Sequence, residues 1–574
     1  MSVFLIVVVG IGLLSSGKRE GGIRLYQVDP LYKVLKEWSY FRDEMDTVRV
    51  ARGETATIQL AVKGISDVDH MQAEVTEITC GKFHLSGAVC GWVGYVRTGR
   101  SYSPPSVNII KSASGYFPDP ILTDSAFCIE QGEVQPLWIT VPVNENSHPG
   151  LYRGNVAISG YIGKKKHTWT KEFYIRVYPV TLGKSPLLVS NWSAHFNPVI
   201  LGYLNRGEEV AAYSDLYWKL IETHAEMMAS HKQNVYRIFP LWQTWFTYAD
   251  GKYSFDFSRL DREIEIFMQK GGLERIEGGH LAWRSGAWDD PFFVEVPLPD
   301  DENTRKLKKS PNPVKSTGEI RSVLLPVTDL RAQNFLKQFL PALKEHLQNK
   351  GWLDRYIQHI ADEPTAKNAP SYGEISRYIR EYLPGVKILD AVLTSKELSE
   401  NIDIWIPELD ILHKDNAFYQ DLKRNGKEVW FYTCVGPRGN YANRFIELPL
   451  IQTRLLHWIN YKYQITGYLH WGLNFWEKDQ LYIDASRDRG RLPAGDNCIV
   501  YPGYGKLYTS IRFEAMRDGI DDYQLLTMLE AKNPNAAKTL AGSVILNFNE
   551  YDNSVTFFRK VRKRLLEQLC DIDN

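Results

Sequence analysis

Tyr356-Ile-Gln-His-Ile-Ala-Asp-Glu-Pro364 runs apolar and β-branched until it stops at two adjacent carboxylates and a proline. Tyr356 to Ala361 suit a buried strand, and proline ends strand pairing because it has no N–H to donate. A strand that delivers two acids at its C-terminal end matches the place where a β/α barrel keeps its chemistry. Neighbouring acids repel, so one ionises readily while the other holds its proton near neutral pH. That division suits acid-catalysed cleavage. Alone, Asp362-Glu363-Pro364 reads more readily as a solvated turn, so its surroundings must decide.

From Ser185 onward, strand-like and amphipathic helical segments alternate, which predicts a parallel sheet with helices outside it. Eight strands are expected: Leu187–Trp192, Asn234–Phe239, Arg275–Leu281, Tyr356–Asp362, Lys387–Leu393, Ile402–Ile406, Glu428–Thr433 and Gly467–Trp471. Helices are expected at Tyr213–Ser230, Phe257–Lys270, Leu330–Asn349, Tyr372–Tyr382 and Pro449–Tyr463. Only Ser395–Asn401 separates strands five and six, so that helix is vestigial. Gly272, Gly351, Gly385 and Gly467 fall where a left-handed helix cap favours glycine. This rhythm reads as a (β/α)8 TIM-like barrel over residues 185–505. The long third crossover carries Trp288-Asp289-Asp290 and a polar Asp300–Thr317 segment; the 288–328 loop either walls the pocket or stays mobile.

Before the barrel, residues 20–182 alternate with period two and carry frequent turns, as in Ala56–Val62, Leu137–Val143 and Tyr152–Ile158, which predicts a β-sandwich. After it, residues 506–574 read as helices packed on the barrel, at Lys506–Glu530 and Ser554–Leu569. Residues 1–17 resemble a signal peptide with an apolar run from Val3 to Leu14 but no charged start, so a secreted or periplasmic protein is expected. No later segment reads as a membrane span. Cys80 and Cys90 would bridge a hairpin in an exported protein; free thiols fit the sequence at least as well.

The 574 residues include 68 basic and 68 acidic side chains, so no global field recruits nucleic acid. The 13 histidines show no paired spacing and the six cysteines no ligand spacing, so neither a metal nor another cofactor is expected. Aromatics are abundant, with 16 Trp, 32 Tyr and 24 Phe, and suit sugar faces as well as cores. In a barrel, the strand ends would bring together Asp362, Glu363, Glu277, His280, Trp283, Trp405, Tyr432, Trp471, Asn474 and Trp476. Acids among aromatics meet a glycosidase's needs. Each aromatic alone is about as readily explained by core packing.

A two-carboxylate glycosidase sets its acids roughly 5–9 Å apart across the bond, which neighbours on one strand end can hardly do. Either a partner comes from Glu277, Asp390, Glu408 or Asp410, or the substrate supplies its own nucleophile through a 2-acetamido group. In the second case Glu363 is the acid, Asp362 orients the acetamide, Tyr432 donates to its oxygen, and Trp471 lies under the ring. His280, Trp405 and Asn474 complete the expected substrate contacts.

Three stretches carry a resemblance: Ala361–Pro364; Gly467–Gly472 leading to Gly495–Gly503; and Ser510-Ile-Arg-Phe-Glu-Ala-Met-Arg-Asp-Gly-Ile-Asp-Asp-Tyr523. With the N-terminal alternating region, they make nearly the whole chain similar to glycoside hydrolase family 123. The resemblance implies a retaining β-N-acetylgalactosaminidase that uses neighbouring-group participation, with the family's Asp-Glu pair at Asp362 and Glu363. Its implied partner is a glycan or glycolipid with a terminal β-linked N-acetylgalactosamine. A glycosidase for another β-linked sugar such as N-acetylglucosamine, or a non-catalytic carbohydrate-binding barrel, remains open. In the third stretch, Arg512, Glu514, Arg517 and Asp518 read chiefly as an ion-pair network that pins a helix to the barrel. Asp496 is equally a surface residue or one that reaches a sugar hydroxyl.

Overall fold

The computed structural model describes residues 21–39, 45–99, 110, 115–311, 320–393, 396–477, 484–485 and 492–571. The expected signal peptide lies outside them, as does part of the polar crossover at 312–319.

The N-terminal region is a β-sandwich. One sheet orders Ile23–Val28, Thr55–Gly64, Val134–Pro142, Val89–Thr98 and Gly115–Leu122; the other is built around Lys165–Thr181 and Gly150–Ile162. Ile58, Leu60 and Val62 pack with Tyr152, Val156 and Ile158 between the sheets, as the alternation requires. Cys80 and Cys90 are free thiols on two different strands.

The eight expected barrel strands all form: strand one at Leu188–Asn191, two at Val235–Ile238, three at Arg275–Gly278, four at Tyr356–His359, five at Lys387–Val392, six at Ile404–Pro407 and eight at Gly467–His470. Strand seven is split at Trp430. Its first half, Glu428–Val429, pairs with strand six, and its second, Phe431–Tyr432, pairs with strand eight. The Glu408–Tyr432 bridge joins that second half to the end of strand six and brings the parallel sheet round. Val235, Ile357, Leu389, Ile404, Ile406 and Leu469 fill the interior with Trp430.

Helices start where side chains can satisfy their free amides. Ser214 caps Asp215–Ser230 by accepting from the Tyr217 N–H, and Asp329 caps Leu330–Asn349 from the Arg331 N–H. Between strands five and six only a 3-10 turn, Lys396–Leu398, survives. Gly272, Gly351 and Gly385 take left-handed φ values of 59°, 71° and 89°. Gly467 does not. A Cβ there would lie 2.2 Å from the Trp430 ring, so glycine is required by packing, and Gln464 takes the left-handed turn at φ 52°.

The third crossover is ordered where described. Ala282–Arg284, Phe292–Pro299 and Ile320–Pro326 form a three-stranded antiparallel sheet over the barrel mouth. The C-terminal region departs from expectation at two points. Lys506–Tyr508 pairs with Tyr501–Gly503 as a small hairpin before the helix Ile511–Lys532, and a further helix, Pro534–Val544, precedes Val555–Asp571.

The expected ion-pair network exists and reaches further than the barrel. Arg512, fully buried, forms a bidentate pair with Asp119 of the sandwich at 2.7 and 2.8 Å and donates to the carbonyls of Arg444, Gly495 and Cys498. Asp522 accepts from Arg454, Trp458 and Arg562, and Arg562 continues to Glu54 in the sandwich. These carboxylates and guanidiniums satisfy one another, which is what makes their burial tolerable.

Candidate active site

Strand four positions the acids. It ends at His359, and three residues later Asp362 meets a cavity of about 510 Å³ at the barrel mouth. Glu363 follows with φ 42°, a left-handed backbone that a non-glycine residue adopts at a cost of about 1–3 kcal/mol. Pro364 sharpens the conflict, because the residue before a proline favours extended backbone. The strain turns neighbouring side chains apart. Asp362 lines the aromatic cavity, while Glu363 accepts a hydrogen bond from the Tyr432 hydroxyl at the end of strand seven.

Burial raises both carboxyls, and their mutual repulsion raises Glu363 further, to about 8. Asp362 feels Arg284, His359 and Arg237, all of which oppose the rise; Glu363 is pushed up by Asp362 and Glu408 and held back by the Tyr432 hydroxyl and Arg284. At neutral pH Glu363 therefore keeps its proton. Arg237 and Arg284, two of the cations that oppose burial at Asp362, lie outside the strand that carries the acids.

Beneath the pair lies a closed charge relay. Glu277 accepts from Ser190 Oγ and Trp192 Nε1, each at 2.6 Å, and contacts His359 Nε2 at 2.7 Å. The other imidazole nitrogen meets Asp390, which also accepts from Tyr372 Oη and the Ile360 N–H. Burial works against a charged His359, but Asp390 and Glu277 outweigh it and lift the imidazole to about 9. Arg237, fully buried on strand two, stacks 4.0 Å over Trp192 and lines the same cavity as Asp362. Its burial lowers it only to about 10, so it stays a cation. His280, His359 and Asp390 cluster closely enough for a metal ion, yet both His359 nitrogens are already engaged by carboxylates.

Tryptophans build the walls. Trp242 and Trp283 stack at 5.9 Å and 7°, with Phe239 stacked 3.9 Å below Trp242. Both indole N–H groups donate to buried Glu295 of the crossover sheet, at 3.0 and 3.2 Å, which fixes their planes. Trp192, Trp471 and Trp476 line the remaining sides. His280 faces the cavity with both ring nitrogens unbonded, and burial keeps it neutral.

Of the expected site residues, Asp362, His280 and Trp471 line this cavity, while Glu363, next to Asp362 in the chain, and Tyr432 bond each other outside its lining. Trp405 and Asn474 do not belong there. Trp405 points away from the barrel interior, fully buried edge-on against Phe418 and Tyr419, because its neighbours Ile404 and Ile406 occupy the inward positions. Asn474 spends its amide on the Ala194 N–H, Ser193 Oγ and His224 Nε2, and so anchors the loop after strand one. Asp496 is fully buried and accepts from Trp471 Nε1 at 3.2 Å, so it braces the ring. Arg237, Arg284, Trp192, Trp242 and His359 escaped sequence reasoning. One signal was legible: a charged Arg237 inside an otherwise apolar strand.

A second cavity, about 570 Å³, lies between the sandwich and Val555–Asp571. Its buried charges are paired within the protein, Arg559 with Asp29 and Arg562 with Glu54.

Residues 203–529 match the family model described as the glycoside hydrolase 123 catalytic domain, and residues 36–160 match the glycoside hydrolase 123 N-terminal domain. Among solved structures, a family 123 glycoside hydrolase from Clostridium perfringens, described through its glycolipid glycan hydrolysis, superposes with a TM-score of 0.69 at 14% identity. That match covers 96% of this chain and 98% of the other. A putative α-galactosidase from Bacteroides fragilis overlaps at 10% identity and a TM-score of 0.28, covering 88% of this chain and 79% of its own. No curated protein matches the chain.

Proposed function

The chain belongs to glycoside hydrolase family 123, and from that premise we propose that it is a retaining, exo-acting β-N-acetylgalactosaminidase whose substrate supplies the nucleophile. One observation carries the mechanism. The other acids considered as a facing partner are engaged or unsuited. Glu277 and Asp390 are locked into the relay around His359, Asp410 pairs with Lys414 at 2.6 Å, and Glu408, raised by burial and then by Asp410 to about 7, is only partly ionised at neutral pH.

In the first step the acetamide carbonyl oxygen attacks C1 while Glu363 gives its proton to the departing glycosidic oxygen, leaving an oxazolinium ion. Asp362 accepts the acetamide N–H and offsets the growing positive charge. Glu363, now a carboxylate, takes a proton from water as its oxygen attacks C1, which restores the β configuration. Tyr432, bonded to Glu363 in the free protein, turns its one O–H to the acetamide oxygen when substrate is bound. Trp471, braced by Asp496, supplies an apolar face for the ring.

The preference for galacto over gluco configuration and for glycolipid or glycan ends rests on the family resemblance, and export on the apolar run at Val3–Leu14. The test is Glu363→Gln against wild type on an unactivated β-N-acetylgalactosaminide and on the gluco epimer. Loss of at least 10³-fold in kcat, in the range of removing a general acid and base, supports the assignment. Retained turnover refutes it. A thiazoline analogue of the oxazolinium ion should inhibit strongly.

A further inference from the structure

Trp288 stands half exposed on the crossover, at 50%. A lone exposed tryptophan is ordinary. The way this one is fastened is not.

Its carbonyl accepts from Arg284 Nε at 2.7 Å and Asn368 Nδ2 at 3.3 Å. Arg284 also packs its guanidinium 3.8 Å from the indole centroid and, through Nη2, donates to the Glu363 carbonyl at 2.8 Å. The next residue, Asp289, accepts from Thr365 Oγ1 at 3.0 Å and pairs with Lys367 at 2.8 Å. Arg284, Asn368, Thr365 and Lys367 tie this stretch to the short segment from Glu363 to Asn368. One guanidinium thus lies between an exposed indole and the backbone of the proton donor.

From this geometry we propose that Trp288 is the platform of a leaving-group subsite, which stacks the pyranose ring of the sugar that departs when the bond breaks. The inference rests on Glu363 being the acid. The proton goes to the glycosidic oxygen, so the departing sugar lies on the Glu363 side of the bond, where Trp288 is held. Arg284 covers one indole face, which leaves the other for the apolar face of a ring. The ligand class is therefore a hexose at the reducing side of the cleaved linkage. The competing role is structural, with the indole serving only to shield Arg284.

The experiment compares kcat/KM for a disaccharide, β-N-acetylgalactosaminyl-galactose, with that for β-N-acetylgalactosaminyl fluoride, whose leaving group has no ring. Trp288→Ala should lower the disaccharide-to-fluoride ratio on the order of three- to tenfold, as expected for losing one stacked ring, and Trp288→Tyr should restore most of it. An unchanged ratio, whether both rates hold or both fall, overturns the subsite. A thermal melt of each variant separates loss of folding from loss of contact. If the wild type cleaves neither compound, the sugar assignment above fails, and the same ratio is read on the fluoride and disaccharide of the sugar it does cleave.

Discussion

Replacing Asp362 by Asn removes one negative charge beside Glu363 and keeps the side chain's size. Adjacent Cα atoms are ~3.8 Å apart, which sets the two carboxyls at roughly 6 Å once they turn apart. Two unit charges at ~6 Å with an effective dielectric of ~20 interact by about 2.8 kcal/mol, or ~2 pKa units. Glu363 sits at about 8, lifted first by burial and then by Asp362. Since burial persists in the variant, the drop should be about one to two units, to roughly pH 6–7. Glu363 acts protonated in the first step, so activity is present below its pKa and lost as pH rises through it. The assay is kcat/KM from pH 4 to 10 on an unactivated acetamido disaccharide. The basic limb should move from about 8 to the lower value while the rate falls on the order of 10²–10³ from lost acetamide orientation. A basic limb that stays within about 0.3 unit would falsify the proton-sharing account, whatever happens to the rate.

Trp405→Phe should cost about 1–3 kcal/mol of stability and leave KM unchanged, whereas Trp471→Ala should raise KM on the order of tenfold with little change in melting temperature; thermal melts and steady-state kinetics on both variants decide. Asp522 and Glu514 are held at about 2, against burial, by Arg454 and Arg562 and by Arg517 and His231 respectively. Their stabilisation is complete above the unfolded carboxylate range and lost as pH falls through the folded values. Melting temperature should therefore hold near neutral pH and drop between about 4.5 and 2. Arg562→Met, which leaves Glu54 and part of Asp522 uncompensated, should cost about 3–5 kcal/mol by denaturant unfolding.

The strand-and-helix order was legible because its signals are local. Apolar runs of strand length, amphipathic helices and breakers such as Pro364 each act within a few residues. All eight barrel strands formed within a few residues of expectation, and Asp362 and Glu363 stand at the mouth because strand direction alone puts them there. The helix Pro534–Val544 and the hairpin at Tyr501–Tyr508 were missed, because short elements carry too few residues to show a period.

Which face a side chain presents is a different matter. Trp405 and Tyr432 both lie near strand ends in similar aromatic company, yet one is sealed outside the barrel and the other touches Glu363. Asn474 looked free until Ala194 and His224, far away in the chain, claimed its amide. Likewise the acidity of Asp362 depends on Arg237 and Arg284, which reach it from another strand and from the crossover. The order of elements is written in neighbouring residues, so sequence determined it alone. The state of charge and the facing of each group depend on fields and contacts between residues hundreds of positions apart, and only folding brings those within reach.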